Sequence, residues 1–157
     1  MSSLPALLEA LQPLLAIIKT VDPTDPNAAA TLSQALPPDS AQMAQLKALV
    51  RQGVEAGWLC DRENDGIRFS RVHKAAGADD WGIDAVHMNK PGPGHTHPNG
   101  EVDLCFAVSG SPTFDGKAPG WTVYPPGSWH VPTVSGGVMD ILYFLPGGAI
   151  RFEPKPS

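Results

Sequence analysis

Three of the chain's five histidines and one glutamate fall in two short segments, Gly94-His95-Thr96-His97-Pro98-Asn99-Gly100-Glu101 and Pro125-Pro126-Gly127-Ser128-Trp129-His130. No other feature restricts the fold as strongly. Side chains of an extended segment alternate with a period of two, so His95 and His97 leave the same face. Glu101 shares their odd parity. His130 has to arrive from a separate strand after a tight turn rich in proline and glycine, so the two segments meet only if the chain folds back on itself. If they meet, three imidazoles and a carboxylate suit one six-coordinate divalent ion with positions left open for water or substrate. An HxH pair alone is also common on solvated strands. The PxGxxH turn of Pro125, Gly127 and His130 favours the metal reading over that one.

The rest of the pattern divides the chain in two. Leu4, Leu7, Leu8, Leu11, Leu15 and Ile18 recur at helical spacing, with Ser3 and Pro5 at the start and a bend expected at Pro13. Asp25 before Pro26 predicts a cap and a short helix to about Ala35, stopped by Pro37 and Pro38. A third helix is expected from Asp39 or Ser40 to Gly57, with Met43, Leu46, Val50 and Val54 on one side. Residues 1–57 thus read as a helical N-terminal segment. From Trp58 onward short β-like runs alternate with turn residues, and most of the 17 prolines and 16 glycines fall in the connections. Strands are expected over 66–72, 82–88, 101–108, 121–124 and 138–145. In the third of these, Glu101, Asp103, Cys105 and Ala107 share the ligand face, whereas Val102, Leu104, Phe106 and Val108 form a wholly apolar one. That apolar face needs the N-terminal helices or a second subunit against it, and a homodimer is expected.

A net charge of -5 over 157 residues excludes the basic face that nucleic acid or an anionic membrane demands, which leaves a small molecule as the expected partner. The length fits one domain with an appendage. Cys60 and Cys105 make no CxxC pattern, and a disulfide framework is not expected. The apolar start lacks a basic leader region and carries Glu9 and Lys19, so a cytoplasmic protein without membrane spans is expected.

The two histidine motifs, in this order, resemble those of the cupin family. That resemblance implies a mainly β fold with N-terminal helices, a cupin-like double-stranded β-barrel over residues 58–157 preceded by the small helical segment. It also implies His95, His97, Glu101 and His130 as metal ligands. Asn89 stands at the family's opening glycine, Gly110 falls later than its closing glycine, and Val134 replaces its final asparagine. These departures touch turns and leave the ligand positions intact.

The residues around the ligands narrow the chemistry. Asp103 shares the face of Glu101 and is a candidate general acid or base, or alternatively a carboxylate that orients a ligand. His87 is a second proton-carrying candidate, against the alternative of a hydrogen-bonded structural histidine. Arg68 and Arg71 have opposite parity, so at most one faces the cavity; Arg71 is the candidate for gripping a substrate carboxylate. Tyr124 and Trp129 are candidates for stacking on an aromatic ring, and Trp121 and Tyr143 are weighed with them against ordinary core roles. The strings GHTHPNGEVDLCF, FDG, GWTVYPPGSWHVPTVSGG and ILYFLPGGAIRF resemble, more narrowly, the 4-hydroxylaminobenzoate lyase family, from about Trp58 to Phe152. This implies conversion of 4-hydroxylaminobenzoate, or a close aromatic hydroxylamine, to 3,4-dihydroxybenzoate and ammonia without an organic redox cofactor. A divalent metal is expected, Fe2+ or Mn2+ favoured, with Zn2+, Ni2+ or Co2+ also compatible with the donors. An Fe2+-dependent aromatic dioxygenase and a non-catalytic sensor of aromatic acids are the rival readings.

Overall fold

The computed structural model describes residues 2–156. Its helical part comprises α1 (Leu4–Ile18), α2 (Ala28–Ala35) and α3 (Ala41–Ala56). Ser3 caps α1, its hydroxyl accepting from the Ala6 N–H at 3.2 Å, and Pro5 lies in the first turn, where a missing N–H costs no helical bond. Ser40 caps α3 in the same way through the Met43 N–H at 3.2 Å, and Gly57 ends it. The second helix starts later than expected. Asp25 accepts from the Asn27 N–H at 2.8 Å in a local turn, so its carboxylate is spent before the helix begins and Asn27 becomes the N-cap.

The β part comprises β1 (Arg62–Asn64), β2 (Ile67–His73), β3 (Trp81–Met88), β4 (His95–His97), β5 (Glu101–Phe114), β6 (Gly120–Tyr124), β7 (Ser128–His130), β8 (Val134–Pro146) and β9 (Arg151–Phe152). The strands pair antiparallel in two sheets, one of order β1-β2-β3-β8-β5-β6 and a small one of order β7-β4-β9. The expected closed double-stranded barrel does not form. The outer strands β1 and β6 do not pair with each other, and the small sheet keeps its own ladder. Pro91, Pro93, Pro98, Pro125, Pro126 and Pro132 flank β4 and β7 and remove the N–H groups that longer ladders would need. Beyond β4 and β7 the pairing continues as an isolated bridge, Pro91↔Thr133.

Strands β5 and β8 run on past the expected ends and pair as far as Phe114↔Val134, crossing register shifts at Ala107/Ser109 and Gly110/Thr113. Those irregularities break the apolar alternation that marks a strand in sequence. Alternation then sorts the core into two layers. Val102, Leu104, Phe106, Leu142 and Phe144 pack against Leu7, Leu11, Ile18 and Val50 of the helices. The opposite face of the same strands joins Cys105, Met139, Ile141 and Tyr143 to Met88 and Phe114. The face that required cover is therefore covered by helices of the same chain, and each large side chain buried there contributes about 1.5–3 kcal/mol. Both cysteines are free and buried. Among the described residues no helix is long and apolar enough to cross a membrane.

Candidate metal centre

The four motif residues meet between the sheets. Glu101 projects from β5 of the large sheet, His95 and His97 from β4 and His130 from β7 of the small one, where His95 and His130 are direct cross-strand neighbours. Their donor atoms all lie within 4.8 Å of one another. His97 Nε2 is 3.2 Å from Glu101 Oε2, His95 Nε2 is 3.5 Å from Oε1, and His130 Nε2 is 3.8 Å from Oε2.

The partners of the other ring nitrogens decide what these histidines present. His95 Nδ1 faces the Pro93 carbonyl at 3.2 Å, which can only accept. His97 Nδ1 meets Ser128 Oγ at 2.8 Å, and that hydroxyl already donates to Pro125 O at 2.6 Å, so it too must accept. His130 Nδ1 meets the Asp115 carboxylate at 2.6 Å. In its neutral form each of the three rings therefore carries its proton on Nδ1 and turns a bare Nε2 lone pair inward. Two such nitrogens, of His95 and His130, lie 3.2 Å apart, an arrangement that repels unless a cation stands between them. In addition, His97 Nε2 and both Glu101 carboxylate oxygens are buried without a hydrogen-bond partner. Buried groups left so are costly, about 1–3 kcal/mol each. The donor set thus fits a divalent cation. Burial opposes ionisation of Glu101, and only a proton on the facing Nε2 atoms of His95 and His97, or a cation in its place, holds the carboxyl below the usual carboxylate range. Asp103, fully buried on the same face, is pushed the other way, first by burial and then by the charge of Glu101. Neither of its oxygens meets a hydrogen-bond partner.

A cavity of about 440 Å³ opens beside His95. Its floor and walls are apolar, with Ile67, Phe69, Val86, Tyr143, Ile150 and Phe152, and its polar rim holds Arg62, Asn64, Arg71 and Asp84. Register explains this: Phe69 pairs with Val86, and Arg71 with Asp84, on the sheet face that carries Tyr143. Phe152 of β9 stands 5.6 Å from the His95 ring, edge-on.

The other sequence candidates are dispersed. Arg71 reaches the cavity but is ion-paired with Asp84, while Arg68 faces the helices and donates to Cys60 O and Val54 O, both at 3.2 Å. His87 is also on the helix face. Its Nδ1 meets Asp140 Oδ1 at 2.8 Å, and Asp140 Oδ2 lies 3.4 Å from Arg51 Nε of α3. Tyr124 does not line the cavity; its ring stacks on His97 at 5.1 Å and its hydroxyl donates to Asp115. Trp129 likewise turns away, donating from Nε1 to Glu153 O at 2.9 Å. Asp115, Ser128 and Phe152 were not among the sequence candidates. The first carried a readable signal, since Asp115-Gly116 is a two-residue hairpin dipeptide.

Paired histidine motifs converging on such a cluster define a cupin-fold protein with a centre suited to a divalent metal. The model of the family described as PnbB, 4-hydroxylaminobenzoate lyase, matches residues 9–152. A 4-hydroxylaminobenzoate lyase of Nocardioides sp. (strain LMS-CY) is 32% identical over 136 residues, 80% of this chain and 80% of the relative. A second, from Pseudomonas putida, is 29% identical over 135 residues, 74% of this chain and 77% of the relative. Among solved structures, the polyketide cyclase RemF of Streptomyces resistomycificus aligns with a TM-score of 0.43 and 16% identity, over 59% of this chain and 75% of that one. The chain belongs to the 4-hydroxylaminobenzoate lyase family.

Proposed function

We propose that this chain is a metal-dependent lyase that converts 4-hydroxylaminobenzoate, or a close aromatic hydroxylamine, to 3,4-dihydroxybenzoate and ammonia. The observation that carries this reading is the inward-facing His95, His97, Glu101 and His130 set beside an apolar cavity with a basic rim, in a chain of this family. The chemistry balances without an external oxidant. The N–O bond breaks with loss of water, one water adds to the ring carbon ortho to nitrogen, and another displaces ammonia. One water is consumed net, and the ring is oxidised by the two electrons that reduce nitrogen.

His95, His97, Glu101 and His130 would hold Fe2+ or Mn2+, which when bound would supply Lewis acidity toward the hydroxylamino oxygen. The remaining work falls to the chain. The cavity walls at Phe69, Val86 and Phe152 take the flat ring and exclude water from it. Arg71, its charge shared with Asp84, and Arg62, which makes no ion pair among the described residues, receive the ring carboxylate. Asp103, on the same face of β5 as Glu101, is the proton carrier in this reading, whereas His87 faces α3. Tyr124 and Trp129 support the ligand strands. Cytoplasmic residence and a homodimeric state belong to the same proposal, and light scattering on the purified chain reads the latter.

The test is an anaerobic assay on 4-hydroxylaminobenzoate with protein of measured metal content, following ammonia and 3,4-dihydroxybenzoate together. Stoichiometric release of both without oxygen is expected. Turnover that requires and consumes oxygen would replace the lyase with a dioxygenase, and tight binding of an aromatic acid with no turnover would replace it with a sensor.

A further inference from the structure

Asp115 lies outside the four-residue cluster, in the hairpin joining β5 to β6 of the large sheet. Phe114 and Lys117 close a two-residue loop through N–H···O bonds of 2.8 and 2.9 Å, and Asp115 and Gly116 occupy it with φ of +50° and +79°. Positive φ at both central positions is the type I′ geometry that Asp-Gly accommodates. The loop docks on the segment that follows His130. The Asp115 N–H donates to Thr133 O, and the Thr133 N–H donates back to Oδ1, both at 2.8 Å. That leaves Oδ2 for His130 Nδ1 at 2.6 Å and for the Tyr124 hydroxyl.

His130 needs such a hold more than the other ligands do. It sits on a three-residue strand at the edge of the small sheet. Its side chain is 12% exposed, against 1% for His95 and 0% for His97 and Glu101. Neighbours on its own strand cannot fix the ring's rotation or the position of its proton. A carboxylate that accepts from Nδ1 does both, and leaves Nε2 as the inward donor.

We propose that Asp115 is a positioning residue of the metal centre: it locks His130 with its proton on Nδ1 and ties the large sheet to the small one where their ligands meet. This rests on reading the four residues as a metal site. The test uses Asp115→Asn in the full chain. Asparagine tolerates the positive φ and keeps the side-chain size, but offers one acceptor oxygen where three donors converge. Co2+ is the probe, added to metal-free protein and followed by its visible absorption and by competition with a chromophoric chelator.

For Asp115→Asn, Co2+ affinity is expected to fall about 10–100-fold, with an altered visible spectrum and a metal-free stability lowered by less than the loss in metal-binding free energy. Asp115→Gly keeps the turn, removes the side chain, and is expected to lose at least as much affinity. Wild-type affinity in Asp115→Asn overturns the proposal, as does an affinity loss matched by an equal loss of metal-free stability, which marks a purely structural role. A wild-type chain that binds no Co2+ removes the metal reading itself and the proposal with it. A chain that binds Co2+ but releases no ammonia leaves the positioning role standing and refutes the lyase reading alone.

Discussion

Glu101→Gln separates a cation site from a self-satisfied polar cluster. The substitution preserves shape and removes the charge that faces all three Nε2 atoms at 3.2–3.8 Å. In the wild type, a ligand bound only to the folded state at about a thousand times its Kd stabilises by about 4.1 kcal/mol. At about 2–4 °C per kcal/mol for a chain of this size, Tm should rise by about 8–16 °C on metal addition. An unmatched buried polar group costs about 1–3 kcal/mol, and losing the Glu101 charge at the upper part of that range weakens binding about a hundredfold. The same metal concentration is then about ten times Kd, giving the variant about 1.4 kcal/mol and about 3–6 °C. Differential scanning calorimetry on chelator-treated protein, with Mn2+, Co2+ and Zn2+ added in turn, measures both increments. Equal increments in the two proteins would refute the ligand role of Glu101, and no increment in the wild type with any of the metals would refute the site.

Three further outcomes test other parts of the structure. Asp140→Ala removes the buried carboxylate that faces both Arg51 Nε and His87 Nδ1 under α3, leaving Arg51 only Glu55 at 3.8 Å, and should cost about 1–3 kcal/mol in urea unfolding with an unchanged m-value; a loss near zero would show that the helix layer does not depend on this carboxylate. Gly94→Ala places a Cβ 2.5 Å from Trp129 Cζ2, next to His130, and should lower metal affinity along with stability; isothermal titration showing intact affinity would contradict that coupling. Asp80 accepts from the Ala76 N–H at 2.9 Å, from His73 Nε2 at 2.9 Å and from Lys19 Nζ at 3.2 Å, which hold its carboxyl well below the ordinary value. A depressed folded pKa gives stability that is complete above the unfolded value, near 3.8, and is lost as pH falls through the folded one. Asp80→Asn should therefore be less stable than the wild type at neutral pH and should converge with it in acid, as read by Tm against pH.

The four-residue cluster was legible because its segments are short and local: His95 and His97 share a face of β4 by parity, a turn at residues 98–100 hands Glu101 to the facing sheet, and a proline-glycine turn delivers His130. The helices were legible for the same reason, through Ser3, Ser40 and Gly57. What escaped depends on register between distant strands. Whether His87 joins the cavity is decided by its pairing with Arg68 and Asp140, which puts both it and Arg68 on the helix face. The role of Asp115 depends on a hairpin tip docking on Thr133, and Phe152 reaches His95 through a two-residue strand too short to show any periodicity. Barrel closure failed as an expectation because a motif specifies which segments meet, whereas the ladders around them depend on how many N–H groups the flanking prolines leave.

The large sheet keeps its helix-packed side and its cavity side on alternate residues of the same strands, which has a consequence for how this protein can diversify. Phe69 and Arg71 of β2, Asp84, Val86 and Met88 of β3 and Tyr143 of β8 line the cavity, while Val72, Ile83, Ala85, Leu142 and Phe144 pack with the helices. A combinatorial library restricted to Phe69, Arg71, Asp84 and Val86 would vary the shape and charge of the cavity and leave the helix layer's packing unchanged. Phe69 and Val86 can change one residue at a time without disturbing the helix layer, whereas Arg71 and Asp84, which are ion-paired, have to change together.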